Sequence, residues 1–567
     1  MGMFTTIPTP RVKKSVFNRT LSFENKLSFE FGQIVPFFAK DLLPGDNFYF
    51  SPEVFMRCAP LIFPMMQLCD VHIDVIKFPM RLLMRDTPQI AGFETFMSPK
   101  DVFGEGEQPT MTQFKLTFGD NVGVDDLTKW LNVRTLSDYL GIPTVDSNID
   151  FPSLNGQVMR FRALDHIAYQ WAYDELYRNE NVQDLILDDD TDFYSQEITD
   201  PVTIDKLMTL RYRNWPKDFF TSALPNTQRG IDVGIPITAD VPISFRGDHG
   251  VANGTIVVGS TGESLDPGES FIVGLEETVG SGKRLLIGEQ SESVVHIDNS
   301  RDLVGHLSNV TATINDLRLS VALQSWAEAS MRGGARYPEI LMSTFGVRPR
   351  DARLDRPECM GRISFPLQIS EVLQTAPGES SPVGDPAGRG IAYGRGRYIH
   401  VFAEEHCLLH AYISIMPRAS YQQGLPKRYT KFDKFDYYWP QFDALGEQAI
   451  KDRELFYDFT KDWDDPDTND HAFGYQQRFC EYKAFPNEIH GDFKVSGLNA
   501  WHMGRIFANA PALNEDFINY KNEADALNQR VFSSGAVEGA NRIWCQVFNR
   551  IAARRPMSYN VVPHLKG

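Results

Sequence analysis

Glu404, Glu405, His406 and His410 bring imidazole and carboxylate together in one short segment, and these are donor types that hold Zn or Mn. On a strand, however, the two histidines would share a face about 13 Å apart, too far for one ion. Structural histidines and paired carboxylates are the better expectation. The acidic run Asp462–Asp470 places Asp465, Asp467 and Asn469 at the one, three and five spacing of a calcium loop. Asp470 stands where that loop needs glycine and Gln476 where it needs a closing bidentate glutamate, so these three are weak metal candidates. Gly388–Arg397, GRGIAYGRGR, is glycine-rich and basic but lacks the GxGxxG spacing that brings a helix N-terminus to a pyrophosphate. Arg389, Arg395 and Arg397 offer an anion or nucleic-acid contact from that stretch. GxxxxGK[ST], HExxH and GxSxG are all missing, which removes the P-loop, the zincin helix and the nucleophile elbow. No catalytic residue and no cofactor is expected, although the many acids leave a glycosidase-type carboxylate pair formally open.

Whatever these residues do, short β elements must position them. Leu27, Phe29 and Phe31 alternate with polar neighbours, as do Val71, Ile73 and Val75, the period-two pattern of strands with one buried face. Asp41–Asp46, DLLPGD, is a Pro-Gly turn between antiparallel strands. Tyr398–Met416 reads as β by its Val, Ile and Leu content. Helices are isolated pieces: one opened by a Thr135/Asp138 capping box and stopped at Gly141, one with a Phe161, Leu164, Ala168, Trp171 stripe ending near Asn179, and one running from after Asn315 to Gly333-Gly334 with Leu317 and Val321 on one face. Ile231–Ala312 has a different texture, with twelve Gly and twelve acidic residues against four basic ones. It is either a small separate domain or a long insertion projecting from the main fold.

With 56 basic and 74 acidic residues the chain carries a net charge of −18, which argues against an outer surface that grips nucleic acid throughout. Both ends carry basic charges only, Arg11, Lys13, Lys14 and Arg19 before Phe23 and Arg542, Arg550, Arg554, Arg555 and Lys566 after Gly539. That asymmetry suits termini turned toward phosphate and a bulk turned toward solvent. Six cysteines without CxxC spacing read as reduced, mostly buried thiols. No signal-peptide stretch and no apolar run of membrane-spanning length is present.

Several strings, in order along the chain, resemble the major capsid proteins of the Microviridae, and more closely their gokushovirus-like branch. They are FGQIVPFFAKDLLPGDNF (Phe31–Phe48), RYRNWPKDFFTSALPNTQRG (Arg211–Gly230), the run from Met331 to Arg362 with its RGGARYPEI and FGVRPRDARLDRPE, EVLQT (Glu371–Thr375), YQQGLPKRY (Tyr421–Tyr429), DYYWPQFDALGEQ (Asp436–Gln448) and FGYQQRFCEYK (Phe473–Lys483). The resemblance implies a mainly β fold across residues 1–567: one eight-stranded antiparallel jelly roll with long loop insertions and a few short helices. It further implies that 231–312 is a surface insertion forming a protrusion at the threefold axes. The implied function is that of a non-enzymatic coat protein which, through pentamers, closes a T=1 icosahedral shell around circular single-stranded DNA of a bacteriophage. The expected partners are further copies of the chain, the DNA, a small basic DNA-binding protein, a pilot protein and a host-surface receptor, without membrane insertion. Its place would be the virion, after assembly in the bacterial cytoplasm. Arg11, Lys13, Lys14, Arg19, Arg550, Arg554 and Arg555 are the expected DNA contacts. Tyr437-Tyr438-Trp439 and Arg348–Arg356 suit anchors between subunits. Competing classes are a glycan-binding viral surface spike on a β-sandwich and a jelly-roll enzyme.

Overall fold

Alternation builds the first strands: β1 (Phe17–Thr20), β2 (Phe23–Phe29), β3 (Val35–Leu42), β4 (Asn47–Cys58) and β5 (Cys69–Pro79). The computed structural model describes residues 17–85, 92–97, 110–119, 122–145, 156–188, 193, 195–230, the short strands between 243 and 305, 314–334, 336–348, 350–373, 386–495, 497–533 and 540–557. Arg11, Lys13, Lys14 and Lys566 lie outside them. Between β3 and β4 the Pro-Gly turn forms as expected, with Gly45 at φ +88° and the Leu43 amide donating to Asp46 Oδ2 at 2.7 Å. After β5 comes an insertion holding β6 (Gln113–Thr117), β7 (Val158–Arg162), β8 (Glu197–Ile198) and several short helices.

The chain divides into two compact units, Met1–Arg229 with Ala329–Gly567, and Gly230–Glu328. Within the second unit are β9 (Ile243–Phe245), β10 (Val257–Val258), β11 (Glu263–Ser264), β12 (Val273–Glu277), β13 (Lys283–Ile287), β14 (Val295–His296) and β15 (Leu303–Gly305). They pair antiparallel in small ladders, β12 with β13 as one of them. The first unit resumes with β16 (Glu358–Leu373), β17 (Pro386–Arg395), β18 (Ile399–Phe402), β19 (Cys407–Pro417), β20 (Glu447–Lys451), β21 (Ala472–Gln477) and β22 (Ile543–Arg555).

One antiparallel sheet dominates, in the order β1-β22-β4-β17-β16-β5-β19-β3, with β2 also on β22 and β18 also on β4. Because β1 and β2 share one edge of β22, and β17 and β18 one edge of β4, its ten segments fill the eight strand positions of a jelly roll. The long β16 curls it: Glu358–Leu367 pair with β5, while Gln368–Leu373 pair with β17. Phe29, Phe50, Val54 and Met56 from one half face Val71, Ile73, Leu409 and Ile413 from the other across a shared apolar core.

The two halves differ on their other faces. Behind β5 and β19, Ile76, Phe78, Leu408 and Tyr412 join a second core with Phe114, Trp130, Leu164, Ile167 and Leu207 of the insertion. No residue of β19 is exposed, so it reads as a mostly apolar run, broken by His410 and Ser414, instead of an alternation. The helix begun at Thr135 forms as read, its cap hydroxyl accepting from the Asp138 amide and Gly141 closing it at φ +89°. The next helix, Leu164–Ala172, continues as a π turn to Tyr177. It carries His166, fully buried against Phe114, with Nε2 3.2 Å from Ser137 Oγ.

Burial lowers the His166 pKa from 6.5 to about 4; the Asp165 charge opposes the shift to a smaller extent, and His410 adds to it. Unfolded His166 therefore takes up a proton that the folded chain refuses between those values. Stability must fall as pH drops from 6.5 to 4 and, for this group, level off below. Removing the titration with His166→Gln should flatten the pH dependence of urea unfolding of dissociated subunits by about 3 kcal/mol between pH 7 and pH 4.

Candidate interaction surfaces

The acid–histidine segment does not converge. Glu405 takes the Arg81 guanidinium at 3.0 Å, and His406 packs edge-on against Phe93. His410, on β19, is fully buried; its Nε2 donates to Asp165 at 3.1 Å and its Nδ1 pairs with the Tyr412 hydroxyl at 2.9 Å. Burial alone would raise the Asp165 carboxyl, but His410 and Arg162 outweigh it and hold the group well below the ordinary carboxylate range. This is a structural network, and Arg162 extends it to Asp41 at 2.9 Å. In the acidic loop, the Asn469 amide is spent on the carbonyls of Asp458, Lys461 and Asp462, while Asp465 Oδ1 accepts the Asp467 amide. Asp470 pairs with Lys451 and Arg453. Among the described residues no group of three or more His, Cys, Asp or Glu side chains is placed to hold a metal ion. The cysteines are free thiols, four of them buried, and burial pushes Cys58 up to about 12, far from a nucleophile's range.

The Met331–Arg362 segment lines a cavity of about 1120 Å³ that also touches the end of the insertion's π turn. Arg356 reaches Glu175 at 2.7 Å, Arg336 donates to the Asp174 carbonyl at 2.7 Å, and Arg332 pairs with Glu447 at 3.1 Å. Gly334 sits at φ +96°, and a Cβ there would fall 2.2 Å from Glu339 Oε2, so the double glycine is demanded by both backbone and space. Deeper in, Asp74 on β5 is buried and accepts from Tyr177 Oη at 2.6 Å and from the Arg362 guanidinium, with Arg213 at 3.6 Å. Arg356 and Arg336 are thus straps within the subunit, whereas Arg348, Arg350 and Arg353 stay exposed.

Large apolar side chains are left bare. Phe345 is 70% exposed, Phe485 84% and Phe459 90%, with Tyr437, Tyr438 and Trp439 about half exposed. Lys431 reaches over the Tyr482 ring at 3.9 Å and pairs with Glu481 at 2.8 Å, which holds part of this aromatic shelf in place. In the second unit, the first part of the helix Ile314–Gly333 exposes Leu317, Leu319, Val321, Leu323 and Trp326. Leu317 and Val321, expected on one face, are both open to solvent, as the apolar residues spread around the helix.

Of the expected basic contacts, Arg550 and Arg554 lie on the outer face of β22, whereas Arg19 stands opposite Ala553 and so shares the side of the sheet that β22 turns inward. Arg555 does not join them; its guanidinium meets the buried Asp46 at 2.8 Å and anchors the Pro-Gly turn. Arg542 is paired with Glu30 at 3.2 Å. Arg389 and Arg395 of β17, singled out in the glycine-rich stretch, share that outer face, and the structure adds Arg57 of β4 to it. Arg57 was missed because a single arginine in a strand carries no composition signal. In IWCQVFNRIAARR, though, the period-two rule puts Trp544, Phe548, Arg550 and Arg554 on one side, a clue that the end of the chain is a strand rather than a solvated tail.

A family model described as "Capsid protein (F protein)" matches residues 5–565. The chain is 30% identical to the capsid protein VP1 of Bdellovibrio phage phiMH2K, over 91% of this chain and 89% of that one. It is 28% identical to VP1 of Chlamydia phage 1, over 99% and 97% respectively, and 26% identical to VP1 of Spiroplasma virus 4, over 100% and 97%.

The Asp74 cluster can be tested directly. Asp74→Asn would leave Arg362 and Arg213 around a neutral amide and should lower stability by about 3 kcal/mol in urea unfolding. Tyr177→Phe, which removes one hydrogen bond and keeps the charges, should cost about 1 kcal/mol.

Proposed function

The chain belongs to the phage capsid F-protein family, as a gokushovirus-type member of the Microviridae, and from that premise we propose how this major capsid protein builds its shell and what it encloses. Identical copies close a T=1 icosahedron through pentameric precursors around circular single-stranded DNA, and the subunit does no catalysis. The observation that carries this reading is the bare apolar surface: Phe345, Tyr437, Trp439 and Phe485 lie in or beside the strings shared with the family, and one copy leaves them in water. Each such patch is a modest contact, and closure under symmetry lets many modest contacts sum to a stable particle.

Residues 231–312 act as the surface insertion at the threefold axes; their glycine and acid content keeps an exposed lobe soluble. A small basic DNA-binding protein and a pilot protein complete the particle, and a host-surface receptor is met from outside. Assembly takes place in the bacterial cytoplasm, and among the described residues no helix is long and apolar enough to cross a membrane. The glycan-binding spike is not favoured, since the relatives named as capsid proteins align along nearly the whole chain.

Negative-stain microscopy and sedimentation of the expressed protein should reveal pentamers or closed particles of megadalton size. Phe345→Asp combined with Phe485→Asp should yield folded subunits, unchanged in circular dichroism, that no longer close. A stable monomer that turns over a substrate would overturn the reading.

A further inference from the structure

Among the described residues nothing covers the outer face of the β22-β4-β17 half of the main sheet, whereas the matching face of β5 and β19 is buried under the insertion. A merely solvated sheet face would be expected to carry short polar side chains and mixed charges. Here, several cross-strand neighbours are guanidinium groups and rings, set among a few small or polar residues. Trp544 stands beside Arg57, and Phe55 lies between Gln546 and Tyr393. Farther along, Tyr49 stands beside His400, their rings 4.9 Å apart. Arg389, Arg395 and Arg554 extend the cationic surface on the same side. Two acids share the face by alternation, and both are engaged: Glu53 by Arg550 at 2.7 Å and by the Tyr393 hydroxyl, Glu24 by Gln546 at 3.2 Å. Arg57 pairs with no carboxylate among the described residues; its guanidinium lies over the Phe55 ring at 5.2 Å. A shallow groove of about 610 Å³ runs between Lys26, Phe55, Arg57 and Trp544. The indole is held in place there by its Nε1–H donating to the Asn541 carbonyl at 3.0 Å.

We propose that this face is a binding platform for single-stranded polynucleotide, its arginines neutralising phosphates while Trp544, Tyr393 and Tyr49 stack unpaired bases. The inference rests on the capsid reading and names the surface that meets the packaged strand. Charge complementarity selects the ligand: the platform is cationic on a chain of net charge −18, so polyanion is drawn here and repelled elsewhere. Exposed ring faces select the unpaired form, because a duplex keeps its bases stacked on each other and out of reach. Stacking on rings and salt links to phosphate both ignore base identity, so the platform binds without sequence preference.

The test uses the purified full-length chain and a fluorescein-labelled oligothymidylate of about 16 nucleotides, followed by anisotropy over a salt series. The triple variant Arg57→Gln, Arg395→Gln, Arg554→Gln should weaken binding more than tenfold and reduce the slope of log affinity against log salt by about 2. Trp544→Ala with Tyr393→Ala should weaken it by about tenfold or more with the slope unchanged. Arg428→Gln with Lys434→Gln, on the aromatic shelf, should bind like the parent. A parent protein that ignores the oligonucleotide, or variants that bind it like the parent, would refute the platform. So would variants that lose subunit association while keeping oligonucleotide affinity, since the face would then be a contact between copies. Absence of closed particles from the parent counts against the capsid reading; normal particles with indifferent variants sink the platform alone.

Discussion

The strand Cys407–Pro417 is buried from end to end between two apolar cores, and most of the subunit is arranged around that constraint. A strand with water on neither face must satisfy every polar group from within the protein. His410 does so through Asp165 and Tyr412, and Ser414 through Arg213, which also approaches Asp74. Asp74 in turn holds Tyr177 and Arg362. Two sets of partners therefore tie the barrel strands to the helical insertion, and the second also takes in Arg362 at the end of the Met331–Arg362 segment. A fault in any member leaves a charge or a hydroxyl stranded in an apolar interior, which is why these interactions specify one docking of the insertion over all others.

Covering one half of the curled sheet so fully leaves the other half to do something else. Among the described residues, the insertion that buries Trp130, Leu164 and Leu207 behind β5 and β19 has no counterpart behind β4 and β22. The subunit thus has a clad side and an open side, and the open side concentrates arginine and aromatic residues in a chain that is acidic overall. Charge is partitioned by strand face, a finer division than the partition between termini and middle.

How much of this was legible beforehand depended on whether a signal was local. The alternations at Leu27–Phe31 and Val71–Val75, the Pro-Gly turn and the Thr135 cap are short-range patterns, and all of them form. The run Tyr398–Met416 was read as β and is two strands, because Ala403–His406 turn between β18 and β19. Its burial on both faces was not legible, since a two-sided strand and a buried helix segment both look like unbroken apolar sequence. For the basic residues, composition singled out the two ends of the chain, but only register reveals that Arg57 and Trp544 are neighbours, that Arg19 stands opposite Ala553 and that Arg555 serves Asp46. The cavity seam, the Asp74 cluster and the bare aromatics are products of long-range contact, which a linear pattern does not encode.

The placement of β22 has a temporal consequence. It lies between β2 and β4, with Trp544 opposite Arg57 and Ile543 opposite Phe29, so an interior position of the sheet is filled from residues that leave the ribosome hundreds of positions after their partners. Until then β4 presents an unpaired flank, the kind of edge that recruits strands from other chains. The sheet's interior is therefore complete only once this late strand has been made and docked between β2 and β4.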